Sequence, residues 1–188
     1  MSIIRNYGLF WTELDTDWGK RGAAGSLRGV KAKNSTGPDI DFAEQVGIYV
    51  LYADYRIVYV GQTGSGDQKL LRRLRDHRRD HLAGRWNQYS WFGTRSVNLN
   101  GSLKAEQDGL STSVPLALDH MEAILIAASE PPLNRQGGSF GAECDQYLQV
   151  RDEDVLGPDT DEMIHDIYDR VQALQQGIKS MKPKKAKT

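Results

Sequence analysis

Two runs rich in β-branched and aromatic residues stand out in the pattern of hydrophobic and polar positions. They occupy residues 47–52 (GIYVLY) and 57–61 (IVYVG), and a short polar segment joins them. Runs of this composition around a tight turn predict a β-hairpin. A further run at 87–93 (NQYSWFG) predicts a third strand.

Helical periodicity appears in two segments after the hairpin. Four leucines between Leu70 and Leu82 fall on one face of a predicted amphipathic helix, and arginines occupy the other face. The second predicted helix begins at Pro115, where proline suits the first turn, and stops before Pro131. Residues 94–113 and 137–162 predict loops, and 1–46 predicts one or two short strands with long loops.

A last helix is predicted from Thr160 to Ile178. Its apolar residues are spaced 3, 4, 3 and 4 apart: Ile164, Ile167, Val171, Leu174 and Ile178. This spacing is typical of a coiled-coil stripe. Two interpretations remain open, namely packing of this helix on its own domain and a homodimer through the C-terminal helix.

Composition limits the class of protein. The chain has 188 residues, one cysteine (Cys144), no apolar run near the roughly 20 residues of a membrane helix, and no secretory signal pattern. No internal disulfide or cysteine-based zinc cage can form. We therefore expect a cytoplasmic protein with no membrane partner.

Charge is sorted into blocks although the net charge is only −1. Residues 67–81 hold six Lys or Arg against three Asp, and 179–188 hold five lysines and no acid. Basic blocks produce local fields that attract phosphate. The candidate DNA contacts in these blocks are Arg72, Arg75, Arg78, Arg79, Lys182, Lys184 and Lys185.

Candidate site residues cluster around the predicted hairpin. A three-residue turn would set Tyr49 directly opposite Tyr59, and Arg73 and His77 share a helix face because they are four residues apart. Each pair also has an ordinary structural interpretation. The tyrosines could simply pack against each other, and the basic face of the helix could simply be solvated. The loop before the helix resembles a Walker phosphate loop, but Asp67 stands where the lysine belongs, and a carboxylate there would repel phosphate.

Glu122 lies on the second predicted helix, which is nearly apolar on the downstream side of this residue. A carboxylate there is costly unless it is paired, hydrogen-bonded or bound to a metal, so an internal ion pair and a metal ligand are both open. Asn134 follows the helix and has the ordinary interpretation of a turn residue. A zinc site at His77 and His81 lacks a third ligand in the sequence.

Residues 47–136 resemble the GIY-YIG nuclease family. The resemblance rests on five elements that occur in the family's order: GIY, YVG, the Arg-x-x-x-His helix, the Glu and the Asn. The resemblance implies an α+β fold, a small and mainly antiparallel three-stranded sheet flanked by helices. The chain would then add an N-terminal extension (1–46), a loop and C-terminal helix (137–178), and a basic tail (179–188).

The resemblance implies a role for each motif residue. Tyr49 would be the general base, and Tyr59 and His77 would position water or phosphate. Arg73 would clamp the phosphate, with Arg72 as the rival because the preceding loop is longer than usual in the family. Glu122 would hold Mg²⁺ or Mn²⁺, and the remaining residue, Asn134, would orient its neighbours.

The function expected from these residues is a divalent-metal-dependent DNA endonuclease, in restriction, phage defence or repair. Two alternatives are a non-catalytic DNA-binding subunit on the same scaffold and an RNA-cleaving nuclease, because these residues do not read the 2′-hydroxyl.

Overall fold

The computed structural model describes residues 2–20, 22–64, 68–105, 113–134 and 137–150, and three single positions further on. Contacts divide the chain into two compact units, Met1–Asp152 and Glu153–Thr188. The second unit is described at Ile164, Tyr168 and Val171, which are helical and exposed. The other positions of the predicted coiled-coil stripe, and the tail lysines, lie outside the described residues, so the homodimer stays a prediction.

The first unit is built on one mixed sheet. Its strands are β1 (Asn6–Thr12), β2 (Arg28–Lys31), β3 (Ile40–Asp41), β4 (Gly47–Ala53), β5 (Arg56–Gln62), β6 (Gln88–Gly93) and β7 (Asp145–Gln149). They lie in the order β3-β2-β7-β1-β6-β4-β5. Only the β1–β7 pair is parallel among these strands. The helices are α1 (Leu70–His77) and α2 (Val114–Ser129).

The predicted fold, a small and mainly antiparallel three-stranded sheet flanked by helices, is wrong. The described part of the chain forms a seven-stranded mixed sheet with two helices in its first unit. Four of the strands come from outside 47–136: β1, β2 and β3 from the N-terminal extension, and β7 from a segment predicted as loop. These strands are held by pairing between distant segments, such as Tyr7 with Gln146, which local patterns do not reveal.

The hairpin and the third strand are confirmed as β4, β5 and β6, but the turn differs from the prediction. Asp54 and Tyr55 both have positive φ, +48° and +65°, and make a two-residue turn that suits the twist of the strands. A register shift follows between Leu51 and Tyr52, so Tyr59 pairs with Leu51, not with Tyr49. The two tyrosines are therefore diagonal neighbours on one face.

The two helices cover opposite faces of the sheet. Successive residues of β4 point to alternate faces, so Tyr49 and Leu51 pack in one buried cluster with the leucines of α1. Val50 and Tyr52 pack in the other cluster, with Ala123 and Ala128 of α2. No helix in the described ranges is long and apolar enough to cross a membrane.

Local interactions mark both ends of α2. The Ser113 hydroxyl accepts the Leu116 N–H at the start of α2, beside a proline in the first turn, and Glu130 ends the helix in a left-handed conformation. The leucines of α1 are buried, but α1 ends at His77, five residues before the predicted end at Leu82. His77 is consequently the last residue of its helix, close to the turn that carries Asp80.

Candidate active site

Four of the predicted site residues lie together on the α1 face of the sheet. We call Tyr49, Tyr59, Arg73 and His77 the tyrosine cluster. The Tyr49 hydroxyl lies 2.7 Å from His77 Nε2. The ring centroids of Tyr49 and Tyr59 are 6.1 Å apart, and those of Tyr59 and His77 are 4.8 Å apart. Strands β4 and β5 and helix α1 thus bring together residues separated by up to 28 positions.

The tyrosine cluster is buried at its centre and reaches the surface at its rim. Tyr49 is fully buried and His77 is 2% exposed. Tyr59 is half-buried, and the Arg73 side chain is 23% exposed. Any substrate would therefore meet Arg73 and Tyr59 before it reaches the phenol of Tyr49.

Gly61 makes the approach of Tyr49 to its neighbours possible. It pairs with Tyr49 across the hairpin. A Cβ at Gly61 would overlap the Tyr49 ring and hydroxyl, and would also press on Tyr59. The glycine of the YVG motif therefore leaves the space that the Tyr49 phenol occupies.

Burial raises the pKa of Tyr49 to about 12, against a hydrogen bond and a Coulomb interaction with Arg73 that lower it. The sequence-based expectation was the opposite, because guanidinium groups beside a phenol favour the phenolate. The desolvation of a fully buried ring outweighs the single nearby cation. Tyr49 is therefore a neutral phenol at pH 7, and it can act as a base only after it has given up its own proton.

Both ring nitrogens of His77 have partners. Nε2 faces the Tyr49 hydroxyl, and Nδ1 lies 2.8 Å from Asp80 Oδ2. No ring nitrogen is left for a metal, which argues against the zinc interpretation with His81. Over the described ranges, no group of three or more His, Cys, Asp or Glu is placed to hold a metal ion.

The basic residues of α1 and the turn after it divide into two sets. Arg75 donates to the carbonyls of Trp18 and Ala24, and Arg78 pairs with Glu13 at 2.7 Å while its guanidinium lies over the Trp18 ring. These two arginines therefore hold the N-terminal segment against the helix. Both other predicted DNA contacts in this region, Arg72 and Arg79, are exposed.

Glu122 and Asn134 do not join the tyrosine cluster. Glu122 lies on α2, which covers the other face of the sheet, and it is exposed, so the internal ion pair in a buried helix is not observed. Together with Asn134 it lines an open cavity of about 670 Å³ between α2 and residues 137–141. Asp119, one helical turn before Glu122, lines the same cavity.

The oxygen atoms around this cavity suit a hard cation such as Mg²⁺ in chemical type. Their place does not suit the role that the family resemblance implies, in which one ion would contact the phosphate beside Tyr49. Glu122 and Tyr49 belong to opposite faces of the sheet. A metal held by Glu122 therefore cannot be joined to the tyrosine cluster in this arrangement.

Asp80 is a residue of the site that sequence reasoning missed. It follows His77 by three positions, a spacing that brings side chains together at the end of a helix. The Leu82 N–H donates to its Oδ1 at 2.7 Å, and this hydrogen bond, with the smaller influence of His77, lowers the pKa of Asp80. The helical spacing from His77 was the available signal.

Comparison of the chain with protein-family models, with curated proteins and with solved structures found no match.

Proposed function

We propose that this protein is an endonuclease that hydrolyses phosphodiester bonds in DNA, with the tyrosine cluster as its active site. The observation that supports this most directly is the convergence of Tyr49, Tyr59, Arg73 and His77 on one face of the sheet. A phenol, an imidazole and a guanidinium in contact can supply a base, a proton acceptor and a phosphate clamp. As the single cysteine suggested, we propose a cytoplasmic setting.

The hydrolysis would proceed by attack of water on phosphorus. Arg73 binds the phosphate with its planar fork and offsets the charge that develops on the phosphate oxygens. Its Nε is a buried donor that lacks a hydrogen-bond partner. Tyr49, as phenolate, takes a proton from the attacking water, the new P–O bond forms, and the bond to the leaving 3′ oxygen breaks. The leaving oxygen takes a proton from solvent.

DNA would approach along the exposed face of α1. Arg72 on α1 and Arg79 in the turn after it are exposed and can contact backbone phosphates, whereas Arg75 and Arg78 hold the N-terminal segment. Such contacts bind DNA without reading sequence. Glu122 lies across the sheet from Tyr49, so a metal bound by Glu122 would not contact a phosphate held by the tyrosine cluster.

The proposal is tested with purified full-length protein and supercoiled plasmid in Mg²⁺, in Mn²⁺ and in EDTA, alongside a single-stranded RNA of matched length. We expect nicked and then linear plasmid, and the EDTA arm tests whether cleavage needs the divalent ion that the resemblance implies. Binding of a labelled duplex is followed by anisotropy in the same buffers.

Each alternative gives a different result in this assay. Duplex binding with no cleavage in any buffer would favour the non-catalytic DNA-binding subunit. Cleavage of the RNA with intact plasmid would favour the RNA nuclease. Neither binding nor cleavage would contradict the nucleic-acid proposal altogether.

A further inference from the structure

A continuous chain of hydrogen-bonding contacts leads from the buried phenol to a carboxylate near the surface. It runs from the Tyr49 hydroxyl to His77 Nε2 over 2.7 Å, and from His77 Nδ1 to Asp80 Oδ2 over 2.8 Å. Tyr49 and His77 are buried, whereas the Asp80 side chain is 34% exposed. Tyr49 and His77 are members of the tyrosine cluster, and Asp80 contacts this cluster through His77.

The direction of each hydrogen bond follows from the acid at the end of the chain. An ionised carboxylate can only accept, so the proton between Asp80 and His77 must sit on Nδ1. A neutral imidazole has one proton, and Nε2 is then left with its lone pair towards Tyr49. The Tyr49 hydroxyl must accordingly be the donor in its contact with His77.

We propose that Asp80 is a positioning residue that fixes His77 in the Nδ1–H tautomer, so that His77 Nε2 can accept the proton of Tyr49. This inference deepens the proposed nuclease function and rests on it for its catalytic consequence. The tautomer itself depends only on the folded protein.

The proton transfers balance through this chain. The Tyr49 proton moves to His77 Nε2, which leaves a phenolate and an imidazolium whose Nδ1–H still donates to Asp80. The phenolate then takes a proton from the attacking water and returns to the neutral phenol. His77 releases its extra proton to solvent at the end of the cycle. Asp80 remains a carboxylate throughout and offsets the charge on the imidazolium.

Several groups around His77 bear on its protonation. Tyr49 faces it from β4 and Tyr59 from β5, and Asp80 faces it from the turn after α1. Arg73 lies one helical turn earlier and interacts with Tyr49. His81 Nδ1 is 3.9 Å from Asp80 and is the other base that shares this carboxylate. Asp80 is therefore the only acid among the groups in direct contact with the His77 ring in the described part of the chain.

The first test reads the tautomer of His77 by ¹⁵N NMR of the imidazole nitrogens in full-length protein without DNA. His120 is a built-in reference, because its Nδ1 accepts the Ile4 N–H and its proton must be on Nε2. Loss of a signal in His77→Gln assigns the His77 resonances. We expect His77 in the Nδ1–H form, opposite to His120.

The second test substitutes Asp80→Asn, which keeps an oxygen for the Leu82 N–H but can donate an amide proton to His77 Nδ1. The proton of His77 then moves to Nε2 and blocks transfer from Tyr49. We expect cleavage at pH 7 to fall about 100-fold, on the order of a general acid–base contribution, while duplex binding is retained. Asp80→Glu should restore part of the rate.

The pH dependence separates positioning from simple loss of structure. Without the acceptor, Tyr49 must lose its proton to solvent, and burial raises the pKa of Tyr49 to about 12. The rate of Asp80→Asn should therefore keep rising up to the highest pH measured, whereas the wild-type rate, in which His77 accepts the Tyr49 proton, should rise less steeply with pH. The matched control is Asp39→Asn, which removes the same charge from an exposed pair with Arg28 and should leave the profile unchanged.

An Nε2–H tautomer for wild-type His77, or an unchanged tautomer in Asp80→Asn, would overturn the inference. A wild-type pH profile in Asp80→Asn would overturn its catalytic part. Finding the Nδ1–H tautomer in a protein that cleaves no DNA would support the positioning by Asp80 and reject the proposed nuclease, so the two failures are distinguishable.

Discussion

Replacement of Gly61 by alanine tests whether the hairpin glycine makes room for the Tyr49 phenol. Gly61 lies opposite Tyr49, and an added Cβ would overlap the Tyr49 ring and hydroxyl and press on Tyr59. Tyr49 is fully buried, so its ring has no free space into which to retreat. Gly61→Ala must therefore displace the ring, the strand or both.

Overpacking of this kind costs about 1–3 kcal/mol in the free energy of unfolding. In a domain of about 150 residues, each kcal/mol lowers Tm by about 2–4 °C, so we expect a decrease of about 2–12 °C. The matched control is Gly137→Ala, where an added Cβ meets no atom within 4 Å. Both changes remove the same backbone freedom from the unfolded chain, so their difference isolates the clash.

The assay is urea unfolding followed by tryptophan fluorescence, with cleavage measured on the folded variants. Gly137→Ala should change stability by no more than about 0.5 kcal/mol. We expect Gly61→Ala to lose stability, and to lose more cleavage than its unfolded fraction explains, because Tyr49 is moved from His77. Equal stability of the two variants would refute the steric reasoning.

Two further predictions concern α2. Burial lowers the pKa of His120, whose Nδ1 accepts the Ile4 N–H. The pKa of His120 is lower in the folded protein than in the unfolded chain, so the stabilisation by neutral His120 is present above about pH 6.5 and is lost as pH falls through the folded pKa. The difference in free energy of unfolding between wild type and His120→Gln should therefore shrink from pH 7.5 to pH 5. A constant difference over this range would contradict the prediction. Glu122 is exposed and lies across the sheet from Tyr49, so Glu122→Gln should change the free energy of unfolding by less than about 0.5 kcal/mol and leave plasmid cleavage unchanged. Loss of cleavage by a stable Glu122→Gln variant would contradict a tyrosine cluster that works without Glu122.

The central strands β4 and β6 could be predicted from sequence because they are rich in residue types that favour β-strands. β4 is largely aromatic and aliphatic, three of the six residues of β6 are aromatic, and both strands are largely buried. β2 and β3 are four and two residues long and have no such pattern. They exist because β2 pairs with β7, which lies more than a hundred residues later, and such pairing is not encoded in any local window.

The tyrosine cluster was predictable for a related reason. Tyr49 and Tyr59 share a hairpin, and Arg73 and His77 share a helix face, so spacing alone brings each pair together. Spacing cannot predict how deeply a residue is buried. Burial raises the pKa of Tyr49, whereas the neighbouring arginines had led us to expect a lowered pKa. Spacing also cannot say which face of a sheet a later helix will cover, and this is why Glu122 was expected beside Tyr49.

The apolar sequence of α2 was misleading about burial as well. The helix reads as an interior segment, but several of its large residues are more than half exposed, namely Val114, Leu118, Met121 and Leu125. Ala123 and Ala128 instead pack in the buried cluster on this face of the sheet. The expectation that Glu122 is buried came from the average character of the segment.

The most direct measurement of the central claim compares Tyr49→Phe with Tyr52→Phe in the plasmid cleavage assay. Both tyrosines are fully buried in β4, three residues apart, and each hydroxyl has a short polar contact: Tyr49 with His77 at 2.7 Å and Tyr52 with the Ala128 carbonyl at 2.9 Å. Each substitution removes one hydroxyl and takes a hydrogen bond from a buried partner, at a cost of about 1–3 kcal/mol.

Only Tyr49 lies on the face that carries Arg73 and His77. We therefore expect both variants to fold and to bind duplex DNA, and only Tyr49→Phe to lose cleavage, by about 100-fold or more. Wild-type cleavage by folded Tyr49→Phe, or an equal loss in the two variants, would contradict the assignment of the tyrosine cluster as the active site.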